Sequence, residues 1–276
     1  MKTTLNGLTN INIELTSRCN KNCWMCGRRK VDREYPDLAL EYGDMDFALL
    51  KKIASEVPAG IVVQLHNNGE PLLYPHFGEA VKLFKNNGNI VNIVTNGKLL
   101  LEKADEIIDN LDTLSISVFE NDEEAEEQYM IMEKFLEQKG TRKPFTSLRL
   151  IGDVDDSRYQ KLNTLIIRRI LHSPMGSFKY RKLNPTIPEI GICLDFLNHL
   201  AINKDGDVSI CVRFDPKRLG VLGNIRNCTL AELWNSPKRE EWKKAHVEGH
   251  RERIPLCSYC QFWGVPTGFD PVIESE

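Results

Sequence analysis

The chain has 276 residues, 41% of them hydrophobic and 27% charged, with 36 Lys plus Arg against 39 Asp plus Glu and a formal net charge of −3. That composition is of an ordinary globular protein, large enough for one good core or a core with a small appendage, and it argues against an extended nucleic-acid footprint or a disordered chain. No stretch reaches the roughly 18 apolar residues that span a bilayer, and the start MKTTLNGLTNINIELT has no apolar leader, so no membrane partner and a cytoplasmic location are expected. In a reducing compartment the eight cysteines read as metal ligands before disulfides.

Ile11–Thr16 reads as the first strand, and Cys19, Cys23 and Cys26 follow it as C-x3-C-x2-C. Three thiolates on one loop can hold three irons of a [4Fe–4S] cube and leave one iron open to a ligand from outside the protein. Structural zinc is the main competitor, with a disulfide or merely packed thiols behind it. Zinc closes a tetrahedron with four ligands, whereas the nearest His is His66 and the next Cys is Cys193.

Further strands are expected at Ile61–His66, Ile90–Thr95, Thr113–Val118 and Thr146–Ile151, short apolar or β-branched runs suited to buried parallel strands. Helical spacing separates them: Phe47, Leu50, Ile53 and Val57, then Ala80, Leu83 and Phe84, then Leu99, Ala104, Ile107 and Ile108. The alternation predicts an α/β fold, a partial (β/α) barrel of parallel strands whose working end is at the C-terminal strand tips. Loops after strands two, three and four carry Asn68-Gly69-Glu70-Pro71, Thr95-Asn96-Gly97 and Ser117, which taken singly are turns and a surface hydroxyl. Arg149 stands among apolar neighbours in LRLIG and needs an anionic partner, from the protein or from a ligand. His66 and His199 read as packed histidines, and 123–127 and 238–244 as solvated helix faces.

The last third opens at Cys193, with Asp205-Gly206 as the turn of a hairpin before Cys211, and closes with Cys257 and Cys260. Two separated pairs are, by spacing alone, the pattern of a closed zinc site. Cys228 is left over and reads as a small buried hydrophobe.

The triplet, the loops after successive strands and the C-terminal cysteines together resemble the radical S-adenosylmethionine (radical SAM) enzymes over nearly the whole chain. Two positions depart from the family pattern: Met25 stands where an aromatic is usual, and Asn68 replaces the first Gly of Gly-Gly-Glu-Pro. The resemblance implies that the open iron binds SAM, whose sulfonium is cleaved to a 5′-deoxyadenosyl radical that abstracts hydrogen from substrate. It places Met25 near the adenine, Asn68, Gly69, Glu70 and Pro71 at the amino end, and Thr95, Asn96 and Ser117 at ribose and carboxylate, while a SAM or substrate carboxylate becomes one candidate partner for Arg149 beside a protein carboxylate. The stretch GNIRNCTLAELWNSPKREEWKKA resembles the linker of SPASM and twitch domains. That resemblance turns Cys193, Cys211, Cys257 and Cys260 into ligands of an auxiliary [4Fe–4S] cluster and, with no Cys after 260, implies the shortened twitch type. The expected division is a radical SAM barrel at 1–185 and a small twitch domain of hairpin and helix at 186–276.

In size and cysteine layout the chain is similar to twitch-type dehydrogenases of aminoglycoside synthesis. Oxidation of a hydroxyl- or amine-bearing small molecule is therefore the leading expectation, with a flavodoxin- or ferredoxin-type electron donor as partner. Two alternatives remain: modification or epimerisation of a peptide or sugar, with Cys228 returning a hydrogen atom, and a non-catalytic zinc or cluster module. Arg149 is the other candidate for a catalytic role.

Overall fold

The computed structural model describes residues 4–169, 193–258 and 260. Six strands, β1 (Asn10–Ile13), β2 (Val62–Gln64), β3 (Ile90–Thr95), β4 (Thr113–Phe119), β5 (Phe145–Ile151) and β6 (Leu165–Arg169), lie side by side and parallel. On the far side of β1 the chain adds β7 (His199–Ile202), parallel to it, and then β8 (Asp207–Ser209) and β9 (Val221–Asn224), both antiparallel. The nine strands form one sheet in the order β6-β5-β4-β3-β2-β1-β7-β8-β9. The C-terminal hairpin thus extends the main sheet, and Gly206 at φ +91° makes its turn where an L side chain would be strained. The expected boundary at 185/186 falls outside the described residues.

The helices are α1 (Gly27–Glu34), α2 (Phe47–Glu56), α3 (Phe77–Asn86), α4 (Ala104–Ile107), α5 (Ala125–Lys139), α6 (Leu194–Asn198), α7 (Leu230–Trp234) and α8 (Pro237–Val247). Asp46 caps α2 by accepting from Leu49 N at 2.9 Å, and Thr229 with Glu232 forms a capping box on α7. The periodic residues Leu50, Ile53, Phe77, Phe84 and Ile107 join Ile11, Ile13, Val63, Leu65, Ile93, Ile116 and Leu150 in one continuous core. Each fully buried aliphatic or Phe side chain there contributes about 1.5–3 kcal/mol of transfer free energy.

The strands are apolar on one face only. Alternation puts Asn10, Asn12, Glu14, Gln64, His66, Asn92, Ser115, Ser117, Ser147 and Arg149 on the opposite, concave face. Neighbouring polar groups there satisfy one another: Gln64 Nε2 donates to Asn10 Oδ1 at 2.9 Å, and Ser115 and Ser147 hydroxyls meet at 2.9 Å. A sheet curled around such a wall encloses a polar interior open at the C-terminal strand ends.

Candidate active site

The loop after β1 carries Cys19, Cys23 and Cys26, all half-buried, and Cys26 is the residue on which α1 starts. The three thiols lie within one another's electrostatic field. Burial pushes Cys23 up to about 12, Lys21 opposes this, and Cys19 and Cys26 add to it. Lys21, inside the loop, is anchored by Asp122 at 2.5 Å with both side chains buried. Three soft thiolate donors on one loop suit an iron–sulfur cluster that leaves one iron open.

The loop after β2 is locked against this one. A Cβ on Gly69 would lie 2.1 Å from Thr16 O, so only glycine fits. Asn68, the departure from the family pattern, donates from its backbone N at 3.2 Å and its Nδ2 at 2.9 Å to Glu14, a buried carboxylate whose pKa is raised by burial. Arg28 on α1 donates to Asn68 O and stacks over Tyr42, 4.4 Å from its centroid. The side chain at 68 therefore serves a buried acid, a need glycine could not meet. Glu70 accepts from Leu72 N at 3.1 Å, Thr95 Oγ1 at 2.7 Å and Asn96 N at 2.8 Å, and burial lifts it to about 7. Glu70 and Thr95 thus spend their polar groups on each other, joining the loops after β2 and β3, and Pro71 starts a short 3-10 turn behind them. Asn96 Nδ2 reaches Asn20 Oδ1 at 2.8 Å and Cys19 Sγ at 3.8 Å, tying the third loop to the cysteines. Buried Gln128 on α5 donates to Asn96 O at 2.5 Å and Ser117 O at 2.8 Å and so fixes the fourth. Met25 is buried, and exposed Trp24 donates its indole N–H to Glu120 O at 3.1 Å.

Ser117 and Arg149 are register partners on the concave wall. Burial and the neighbouring Arg169 bring Arg149 down to about 10, its Nε is buried without a hydrogen bond, and it makes no ion pair among the described residues. The anionic partner that its sequence setting demands is therefore absent from the described protein groups. His66 faces the same interior; its Nδ1 accepts from Val94 N at 3.1 Å, so Nε2 carries the proton. Burial first, then Arg149 and His199, lower its pKa to about 3. The ring is neutral in the fold, whereas the unfolded chain protonates it below about pH 6.5. Its contribution to stability is full above that value and is lost as pH falls toward the folded pKa, because the unfolded state then binds more protons. From about pH 7.5 to about pH 5.5 the loss is about 1.4 kcal/mol. Anaerobic denaturant titration of His66→Gln should show a pH dependence shallower by that amount, and an unchanged slope would mean a charged imidazole in the fold.

The second cysteine set lies around the hairpin. Cys193 precedes α6, Cys211 follows β8, and Cys257 follows a 3-10 turn at Arg251–Arg253. Cys257 is raised by burial and then by Cys211, Cys260 and Cys193, and burial pushes Cys211 up to about 12, so the four thiols share one neighbourhood. His246, buried and lowered to about 4, sits 3.6 Å from Cys257 Sγ and against the Phe196 ring. Four thiols with no vacancy fit an auxiliary cluster. Cys228 packs instead against the helix-covered core, its carbonyl accepting from Lys52 on α2 at 3.4 Å. That is the helix-covered side of the sheet.

Sequence reading missed Glu14, Lys21, Arg28, Gln128 and His246. Glu14 had a signal, a charge within the strand-like INIEL, by the same reasoning that found Arg149.

Residues 13–151 match the radical SAM superfamily and residues 193–261 match SPASM, an iron-sulfur cluster-binding domain. The chain is 26% identical to an S-adenosyl-L-methionine-dependent 2-deoxy-scyllo-inosamine dehydrogenase of Niallia circulans, over 93% of this chain and 94% of the relative. It is 28% identical to a tungsten-containing aldehyde ferredoxin oxidoreductase cofactor-modifying protein of Pyrococcus furiosus, over 90% of this chain and 86% of that one. In fold it is similar to BtrN in complex with AdoMet and 2-DOIA, with a TM-score of 0.61, 20% identity and 91% of each chain covered. It also resembles Streptococcus suis SuiB bound to precursor peptide SuiA, at 0.52 and 13% identity, covering 92% of this chain and 71% of that one. The two matched families bring S-adenosylmethionine and two iron–sulfur clusters as cofactors. A parallel sheet worked from its C-terminal tips, with three thiols on its first loop, is the radical SAM arrangement, and the chain belongs to that superfamily as an enzyme.

Proposed function

We propose that this enzyme oxidises a hydroxyl- or amine-bearing small molecule, taking electrons out through its C-terminal cluster. The observation that carries the reading is the closed quartet of Cys193, Cys211, Cys257 and Cys260: a cluster with four thiolates has no site for a ligand and is left with electrons to exchange. When bound, the N-terminal cluster with SAM supplies a 5′-deoxyadenosyl radical that takes a hydrogen atom, and the C-terminal cluster supplies an acceptor for the electron released as a carbonyl forms. Alcohol oxidation then balances as one hydrogen atom from carbon, one proton from oxygen and one electron.

Cys19, Cys23 and Cys26 hold the first cluster in this reading. Met25 offers an apolar wall to the adenine, and Asn68, Gly69, Glu70 and Pro71 shape the amino end, Glu70 acting through Thr95 and Asn96. Ser117 and Arg149, whose guanidinium makes no ion pair among the described residues, face the interior, where a ligand carboxylate or a developing oxyanion supplies a counter-charge. The curated relative that oxidises 2-deoxy-scyllo-inosamine, similar over 93% of the chain, supports this chemistry. The position of Cys228 on the convex side weighs against an epimerase that uses it as hydrogen donor. None of the described cysteines is in a disulfide, which suits a reducing cytoplasm and a flavodoxin- or ferredoxin-type donor. Among the described residues no helix is long and apolar enough to cross a membrane. The barrel is read as 1–185 and the twitch unit as 186–276.

The test is product analysis with SAM and dithionite under anaerobic conditions on a panel of polyols and amino sugars. One member should yield a carbonyl compound in one-to-one ratio with 5′-deoxyadenosine. If all return at their original oxidation level while 5′-deoxyadenosine accumulates, oxidation is wrong.

A further inference from the structure

Trp242 and His246 stand four residues apart on α8, so they share one face of that helix, and that face is buried. His246 is 0% exposed, and its Nε2 lies 3.6 Å from Cys257 Sγ. The Phe196 ring packs against the imidazole with centroids 4.7 Å apart. Two turns earlier on α8, Arg239 donates to Phe196 O at 3.2 Å and Leu197 O at 3.1 Å, which fixes the helix against α6, the segment that Cys193 opens. Phe196, Ile210, Trp242, Ala245 and Ile254 form a small core here, and Cys193, Cys211 and Cys257 pack on it. The imidazole is therefore held in place beside one thiol of the quartet by packing and by backbone anchors that involve no sulfur.

We infer that His246 donates its Nε2–H to the Cys257 thiolate when that thiolate is an iron ligand, and thereby raises the reduction potential of the auxiliary cluster. The direction of the bond follows from the donor inventory. A thiol and an imidazole nitrogen can bond in either sense, but an iron-bound thiolate has no proton to give, so the nitrogen facing it carries one. A donated N–H stabilises the sulfur more as negative charge builds on the cluster, and hydrogen bonds to the sulfurs are among the levers that set such potentials. Burial makes the contact stronger than it would be in water. In the N-terminal set the Asn96 amide donates to Cys19 Sγ at a longer 3.8 Å. The inference rests on the oxidation reading above and deepens it: the acceptor of the substrate's electron is tuned toward accepting, with His246 a positioning residue that acts through Cys257.

The test is anaerobic potentiometry of the holoenzyme followed by electron paramagnetic resonance. The signal that responds to added SAM marks the N-terminal cluster, and the other marks the auxiliary one. His246→Phe keeps a ring beside Phe196 and removes the N–H, so the ratio of reduced to oxidised auxiliary cluster at a fixed potential should fall about tenfold, or about 59 mV in midpoint. His246→Gln, whose amide N–H reaches toward the same sulfur, should stay within about threefold of the wild type. Iron should remain at about 8 per chain in both variants, and the N-terminal midpoint should not move. An unmoved auxiliary midpoint in His246→Phe, or a shift in His246→Gln as large as in His246→Phe, would overturn the assignment. So would loss of about four irons from both variants, which would make His246 a ligand or a structural prop. A measurement on the wild type needs no variant: with nitrogen-15-labelled histidine, the reduced auxiliary cluster should show a weak histidine coupling, and either no coupling or the strong coupling of an iron-bound nitrogen would overturn the hydrogen bond. If the midpoint moves as expected but no polyol or amino sugar is oxidised, the oxidation reading falls and the hydrogen bond stands.

Discussion

Cys23→Ala should lower iron from about 8 to about 4 per chain and bring 5′-deoxyadenosine formation below detection, with the absorbance near ~400 nm roughly halved. The reason is the donor count. Cys19, Cys23 and Cys26 are the only cysteines between residues 1 and 192, so no fourth thiol can step in, and two thiolates do not retain a cube. The loop itself should survive, because its anchors are not sulfur: Lys21 remains paired with Asp122, Asn20 with Asn96, and Trp24 with Glu120 O. Far-ultraviolet circular dichroism should therefore match the wild type. Zinc in the wild type in place of iron, or a variant that still cleaves SAM at the wild-type rate, would remove this loop from the chemistry.

Strand positions were legible because β-branched runs recur between helical periodicities, and β3 lies where Ile90–Thr95 was read. What failed has physical causes. Helix α5 runs for fifteen residues but buries only Gln128, Met132 and Phe135, so its pattern is swamped by charge. Helix α1 buries Arg28 and Val31 alone, and its buried arginine is held by a carbonyl from another loop, a contact no local window contains. Of the stretch Leu99–Ile108 only Ala104–Ile107 is helix, the rest being turns that fill the same core. The cysteine sets were legible because ligand spacing is a local property. The partners that lock Glu70, Asn68 and Asn96 were not, since these bonds run between loops some 25 to 77 residues apart. Glu120 reads as one acid among many in FENDEEAEE, and only the fold separates it from its exposed neighbours.

Cys211→Ala should separate initiation from oxidation. Iron again falls to about 4 per chain, yet 5′-deoxyadenosine should still form, because the N-terminal loop and its partners lie in other elements. The carbonyl product should drop by at least about a hundredfold, since a substrate radical that cannot pass on its electron is returned to starting material by reduction. The hairpin should remain folded, as Arg239 on α8 clamps Phe196 O at 3.2 Å and Leu197 O at 3.1 Å, and Ile210, Phe196, Trp242 and Ile254 form a small core of their own. Carbonyl formation at the wild-type rate with half the iron would show that the electron leaves by another route, and the quartet would then be structural. Loss of both 5′-deoxyadenosine and carbonyl in a folded variant would show instead that the hairpin set governs initiation, which the parallel pairing of β7 with β1 makes the sharper alternative, because a shift at Ala201 bears directly on Asn12 beside it.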